Sequence, residues 1–223
     1  HAGLIMMMVQ SVLAALLLLV AMRDVPRGGS AAERPGFAAL LSGPARDGVM
    51  LLMVAVGFMN AMMFHQASVV LAAEMRVDGL DGLYGPLLAI NGVLIVLLQP
   101  TLTQVTERVR ASRVLALGCL LVGGGFFLTG FADDAAGHGL AIAVWTLGEI
   151  LLASTMPTVI NRLAPDSMRA SYQGLYGLSW SVSAFAPALG AWAVQQGGAP
   201  LLWSACLGLG VAGALIQLRL GRS

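Results

Sequence analysis

Long apolar runs follow one another along the chain, at about residues 4–22, 49–73, 83–103, 114–132, 138–161, 170–196 and 199–219. Each is long enough to cross a bilayer as a helix, which takes about 20 largely apolar residues. None shows the two-residue alternation of an outer-membrane barrel, and in hydrocarbon the backbone polar groups must be satisfied within helices. The pattern therefore predicts an all-α, polytopic membrane helix bundle. The first run, LIMMMVQSVLAALLLLVAM, has no basic region before it and no small-residue cleavage site after it, so it reads as a spanning helix and not as a signal peptide. The chain opens on His1, which suggests a piece of a longer protein. The longest connection, Arg23 to Asp47, is rich in Gly, Pro, Ala and Arg and is the one credible linker between structural units. It sets residues 1–22 apart from the six runs that follow.

Composition agrees with a bilayer as solvent. Hydrophobic residues make up 58% of the 223 and charged residues 10%, with a mean hydropathy of +0.84, whereas soluble domains carry about a quarter charged residues. The net charge of +1 offers no field for nucleic acid. Lysine is absent, which excludes a Schiff-base lysine, a retinal attachment point and a P-loop. Cys119 and Cys206 lie in apolar runs without a partner motif, so they read as small buried hydrophobes. No disulfide, metal or cofactor is expected.

The arginines give the helices a direction. If loops alternate sides, one side collects Arg23, Arg27, Arg34, Arg46, Arg108, Arg110, Arg113, Arg162, Arg169, Arg219 and Arg222, and the other holds Arg76 alone. Cytoplasmic loops carry the excess of basic residues. The linker and the C-terminus are therefore expected in the cytoplasm.

Polar residues inside the runs are the candidate chemistry. Glu149 falls near the centre of AVWTLGEILLASTMP, where a charge costs roughly 3 kcal/mol to insert. It reads as a proton-accepting or cation-recognising carboxylate facing a cavity, or as a protonated residue bonded to a neighbouring helix. Asn60, His65 and Gln66 share the run GFMNAMMFHQAS. Asn60 and His65 stand about 140° apart around a helix, so one of them is expected to pack instead of facing a cavity. Asn91 and Gln99 occupy the next run, and Trp180 lies too deep for the interfacial belt, which makes it a candidate cavity wall. Gly123, Gly124 and Gly125 permit close helix approach, while Pro86, Pro157 and Pro187 are expected to interrupt helical ladders.

The loop TQVTERVRASRVLALG resembles the motif G-x-L-A-D-R-x-G-R-R of the major facilitator superfamily, with Glu107 at the acidic position, Arg108 at the first basic position and Arg113 just beyond the usual pair. Thr103 and Arg110 replace the two glycines, and Ala111 and Ser112 the paired basic residues, as in the weaker copy of the second half of such transporters. Two more stretches are similar to helices eight and ten to eleven of proton-linked exporters: LYGPLLAINGVLIVLLQP and WTLGEILLASTMPTVINRLAPDSMRASYQGLYGLSWSVSAFAPALGAW, with Ala164, Pro165, Asp166 and Arg169 in the following loop. The resemblance implies that residues 1–22 are helix six, 23–47 the inter-half linker, and 48–223 a six-helix half built as a 3+3 inverted repeat.

By the same resemblance, substrate sits near midplane between two halves that rock to expose it to each side. The pathway residues would be Glu149, His65, Asn60, Asn91, Trp180 and Gln66. Glu107, Arg108, Arg113, Asp166 and Arg169 would form a cytoplasmic gate. The expected partners are a small amphipathic substrate, protons, the bilayer and an N-terminal half, with no nucleic acid. The expected activity is proton-coupled export across the plasma membrane. A seven-helix receptor is the alternative from another class. No HExxH motif, paired aspartates or Ser/His couple at one depth supports an enzyme.

Overall fold

The computed structural model describes residues 43–222, apart from the side chain of Ser68. The expected crossing at 4–22, and the linker up to residue 42, lie outside the described residues. Those that are described form helices and short turns, with no strand among them. The helices are α1 (Gly48–Val77), α2 (Tyr84–Thr106), α3 (Ala111–Thr129), α4 (Ala135–Leu163), α5 (Arg169–Val182) and α6 (Ala186–Leu220).

Local chemistry sets the ends. Asp47 caps α1 by accepting the N–H groups of Val49 (2.9 Å) and Met50 (3.1 Å), and Gly79, at φ +74°, lets the chain turn after it. Asp134 caps α4 through the N–H of Gly137 at 2.7 Å, so that helix starts three residues before its apolar run. Helix α3 is shifted toward its N-terminus relative to the expected 114–132, because Ala111 to Arg113 join the helix. Pro86 sits in the first turn of α2, where no ladder bond is available to lose, so it interrupts nothing. Pro187, by contrast, follows a 3-10 turn at Ser183–Phe185 that separates α5 from α6.

Among the described residues five stretches are long and apolar enough to cross a membrane, and the last, Asp166–Leu220, has 55 residues. As one rod it would be about 80 Å long, far more than the ~30 Å hydrocarbon core. Its contacts show two crossings. Tyr172 donates to Asp47 Oδ2 at 3.1 Å and Gln66 donates to the Ala186 carbonyl at 2.9 Å, so residues 169–196 climb alongside α1. Trp203 meets Glu74 and Gln217 meets Met53, so residues 199–220 descend against it. The reversal falls at Gly197 and Gly198, where Gly198 adopts φ 74°, ψ 178°, a conformation closed to other residues. The expected boundary between the last two runs lies at this point.

Helix α3 is central. It packs antiparallel to α4 and to the second segment of α6, and glycines bring the backbones together. A Cβ on Gly123 would lie 2.8 Å from the Cys206 carbonyl oxygen and 2.9 Å from Gly210 Cα; one on Gly148 would lie 2.7 Å from the Gly118 carbonyl oxygen. Such small-residue seams replace the hydrophobic effect as the source of helix association in lipid. Both cysteines are buried beside this seam, as expected of small hydrophobes. Helix α2 lies on the outside, with Leu87 its buried residue and Val93, Val96 and Leu97 exposed.

The seam makes a matched comparison possible. Gly123→Ala must force α3 from α6 and is expected to cost about 1–3 kcal/mol. Gly124→Ala, whose added methyl meets nothing within 4 Å, is expected to be neutral or slightly stabilising through helix propensity. Thermal unfolding of both variants in detergent checks this, and equal midpoints would remove the seam from the packing argument.

Candidate functional site

Glu149 is the middle residue of α4, with fourteen residues on each side between Ala135 and Leu163. The seam with α3 fixes how it points. Trp145, Gly148 and Leu152 face α3, so the neighbouring stripe, carrying Thr146 and Glu149, turns toward α2. There Asn91 Nδ2 donates to Glu149 Oε2 at 2.7 Å and to Thr146 Oγ1 at 3.1 Å. Thr146 donates its own proton to the Ile142 carbonyl at 2.6 Å. Its Oγ1 must therefore accept from Asn91, which settles the orientation of the amide. Both amide hydrogens are then committed, one to Thr146 and one to the carboxylate. Glu149 is half-buried, held at Oε2, with its other oxygen free of any described hydrogen bond. A carboxylate so placed can take up a proton without losing its anchor.

A second group lies between α1 and α5. Trp180, 40% exposed, stacks on Phe64 (centroids 5.9 Å, interplanar 27°) and meets the His65 ring edge-on at 6.5 Å. Phe64 also touches Trp145 at 5.7 Å, the residue before Thr146. From Trp145 a stack continues through Phe126 to Trp203 at 5.4 and 6.1 Å. This aromatic column through α5, α1, α4, α3 and α6 joins the two groups, and the sequence offered no sign of it beyond single aromatics in separate runs.

Asn60 and Gln66 are placed in the packing. Asn60 Nδ2 donates to the Val56 carbonyl at 2.8 Å and approaches Cys119 Sγ at 3.7 Å. Gln66 is buried and ties α1 to the start of α6 through Ala186. Of the expected pair, Asn60 is thus the packing residue, and His65 is the one beside the exposed Trp180.

The expected gate residues are not drawn together within the described residues. Arg169 Nη2 pairs with Asp166 Oδ1 at 2.7 Å, a local, exposed contact three residues apart, of a kind that contributes little. Glu107, Arg108 and Arg113 make no ion pair among the described residues. Glu107 instead lines a polar groove of about 330 Å³ with Ser154, Thr158 and Arg162.

On the opposite side the structure builds a cluster that sequence reasoning did not single out. Trp203 Nε1 donates to both Glu74 oxygens, at 2.8 and 3.1 Å, and the fully buried His138 Nε2 lies 3.4 Å from Asp78 Oδ2. Trp203→Phe keeps the ring stacked on Phe126 but strips Glu74 of its donor. We expect a loss of about 1–3 kcal/mol, read as a lower unfolding midpoint, whereas Trp192→Phe, at an exposed position, should leave the midpoint unchanged.

The family model described as Major Facilitator Superfamily matches residues 1–188. An uncharacterized MFS-type transporter, YttB, of Bacillus subtilis is 32% identical over 116 residues, covering 50% of this chain and 29% of that protein. A Na(+), Li(+), K(+)/H(+) antiporter of Planococcus maritimus is 27% identical over 154 residues, covering 61% and 36%. The chain spans about a third of the length of these curated relatives.

Proposed function

Because the chain belongs to the major facilitator superfamily and is a membrane transport protein, we propose that it forms part of a proton-coupled antiporter in which Glu149 carries the coupled proton. The observation that carries this reading is the Glu149, Asn91 and Thr146 relay at the centre of α4, between two helices that pack side by side. A carboxylate at mid-membrane costs several kcal/mol unless its ionised state is used or offset. One amide hydrogen offsets it in part. The free oxygen is where a proton enters and leaves as the site is exposed to each side in turn.

The domain reading supports the same proposal. Residues 1–22 would belong to a preceding half, 23–47 would link the halves, and 48–223 would form one wall of the pathway against an N-terminal half. The arginine bias supports a plasma-membrane protein with linker and C-terminus in the cytoplasm. The substrate would be a small amphipathic compound or metabolite exported against protons. A second reading, exchange of monovalent cations for protons, is favoured by the name of the Planococcus relative.

The experiment uses the protein expressed from its complete gene, in proteoliposomes with an imposed pH gradient. The panel contains lipophilic cations, small metabolites, and Na+, Li+ and K+. Glutamine at 149 still offers an oxygen to Asn91, so Glu149→Gln should insert and fold normally while gradient-driven transport falls at least tenfold. Unchanged pH-dependent transport in that variant would remove Glu149 from the mechanism.

A further inference from the structure

We propose that the groove between α2, α3 and α4 binds an acyl chain of an anionic phospholipid whose phosphate is held by Arg113 and the N-terminus of α3. The groove encloses about 360 Å³ and is lined by Val105, Val109, Leu117, Leu121, Leu151 and Arg113, among other apolar residues. Arg113 is its one charged side chain. From Arg113 to Leu121 the groove follows α3 for about 12 Å, a little less than one leaflet of a ~30 Å hydrocarbon core. A chain entering from the arginine-rich side of the membrane therefore fills it without reaching the midplane.

The mouth is built for an anion. Arg108, Arg110 and Arg113 crowd the turn between α2 and α3, and none of them has an ion-pair partner among the described residues. Helix α3 starts at Ala111 with no side-chain cap and no acid in its first turn. Its leading N–H groups and positive dipole end thus lie in the turn that carries Arg113 at the groove, with Arg108 and Arg110 next to it in sequence. Helices are normally relieved by an acid at this position. Here the sequence adds positive charge on exposed arginines, which an anion arriving from outside can reach. Glu107, the nearest acid in the chain, lines the neighbouring groove with Arg162. Apolar length joined to a basic mouth at the membrane surface is the chemistry of an anionic lipid, which basic clefts between membrane helices bind by headgroup.

The site stands apart from the Glu149 relay, so its test is independent of transport. The complete protein is equilibrated in detergent with mixed phosphatidylglycerol and phosphatidylcholine, and retained lipid is measured by native mass spectrometry. We expect phosphatidylglycerol to be retained at least fivefold over phosphatidylcholine. Arg113→Gln should lower its retention about fivefold, the share of one basic side chain at a membrane surface, and Arg113→Lys should restore most of it. Leu117→Trp, at a half-exposed groove position, should block retention of both lipids. Thermal midpoints equal to wild type show that these variants fold. Equal retention of the two lipids, or an unchanged level in Arg113→Gln or Leu117→Trp, would overturn the proposal. Displacement by soluble glycerol phosphate at lipid-like concentrations would overturn it too, assigning the mouth to a free anion.

Discussion

Backbone contact along α3 is the constraint on which the rest depends. In lipid an apolar face gains nothing by leaving its solvent, so helices that expose only leucine and valine have no reason to choose one rotation over another. Glycine supplies the reason. Gly118 and Gly148 admit α4 to one side of α3, and Gly123 and Gly210 admit the last helical segment to another. Once Gly148 lies on the Gly118 carbonyl, the next residue in sequence is turned about 100° away. That residue is Glu149, and the direction is toward Asn91. The chemistry at mid-membrane is thus a consequence of where α4 lacks a side chain.

The remaining polar groups obey the same economy. Each buried amide reaches a neighbouring helix: Asn60, which also donates to the Val56 carbonyl of its own helix, approaches Cys119, Gln66 donates to Ala186 and Gln217 to Met53. Gln66 meets α6 where Pro187 has interrupted the ladder, and a Cβ at Gly190 would collide with its side-chain oxygen. A broken helix in hydrocarbon is tolerated when another helix satisfies the freed groups. Here the break and the residue that services it come from runs 120 positions apart.

Much of the architecture was legible in the sequence because the bilayer imposes a length, and length shows as a run of apolar residues. The six runs after the linker correspond to the helical segments observed, and even the boundary at Gly197 and Gly198 could be placed. Glu149 and Asn91 were each visible as polar residues in apolar surroundings. Their pairing was not, since it joins positions 58 apart and depends on the rotation of α4. The aromatic column was hidden for the same reason. Nothing in the sequence singled out Glu74 and Asp78 at the end of their apolar run, because Trp203 and His138 reach them from helices that arrive later in the chain. The expected gate charges were legible as residues but not as a cluster: Asp166 and Arg169 satisfy each other locally, and nothing in a loop sequence says how far its helices project.

The aromatic column and the Glu149 relay impose opposite demands on α4. Trp145 is clamped between Phe64 and Phe126 with its ring nearly parallel to the latter, at 6°, which resists rotation of that part of the helix. Thr146 and Glu149 lie on the adjoining stripe, against α2, the helix with the least buried surface in the bundle. Rigid packing on one face leaves the carboxylate on the other, where its described anchor is the single bond from Asn91. Breaking the 2.7 Å bond to Asn91 would leave the α3 seam intact. If Glu149 changes its exposure as proposed, the anchor that gives way is the Asn91 bond, while Trp145 and the α3 seam hold that part of α4 in place.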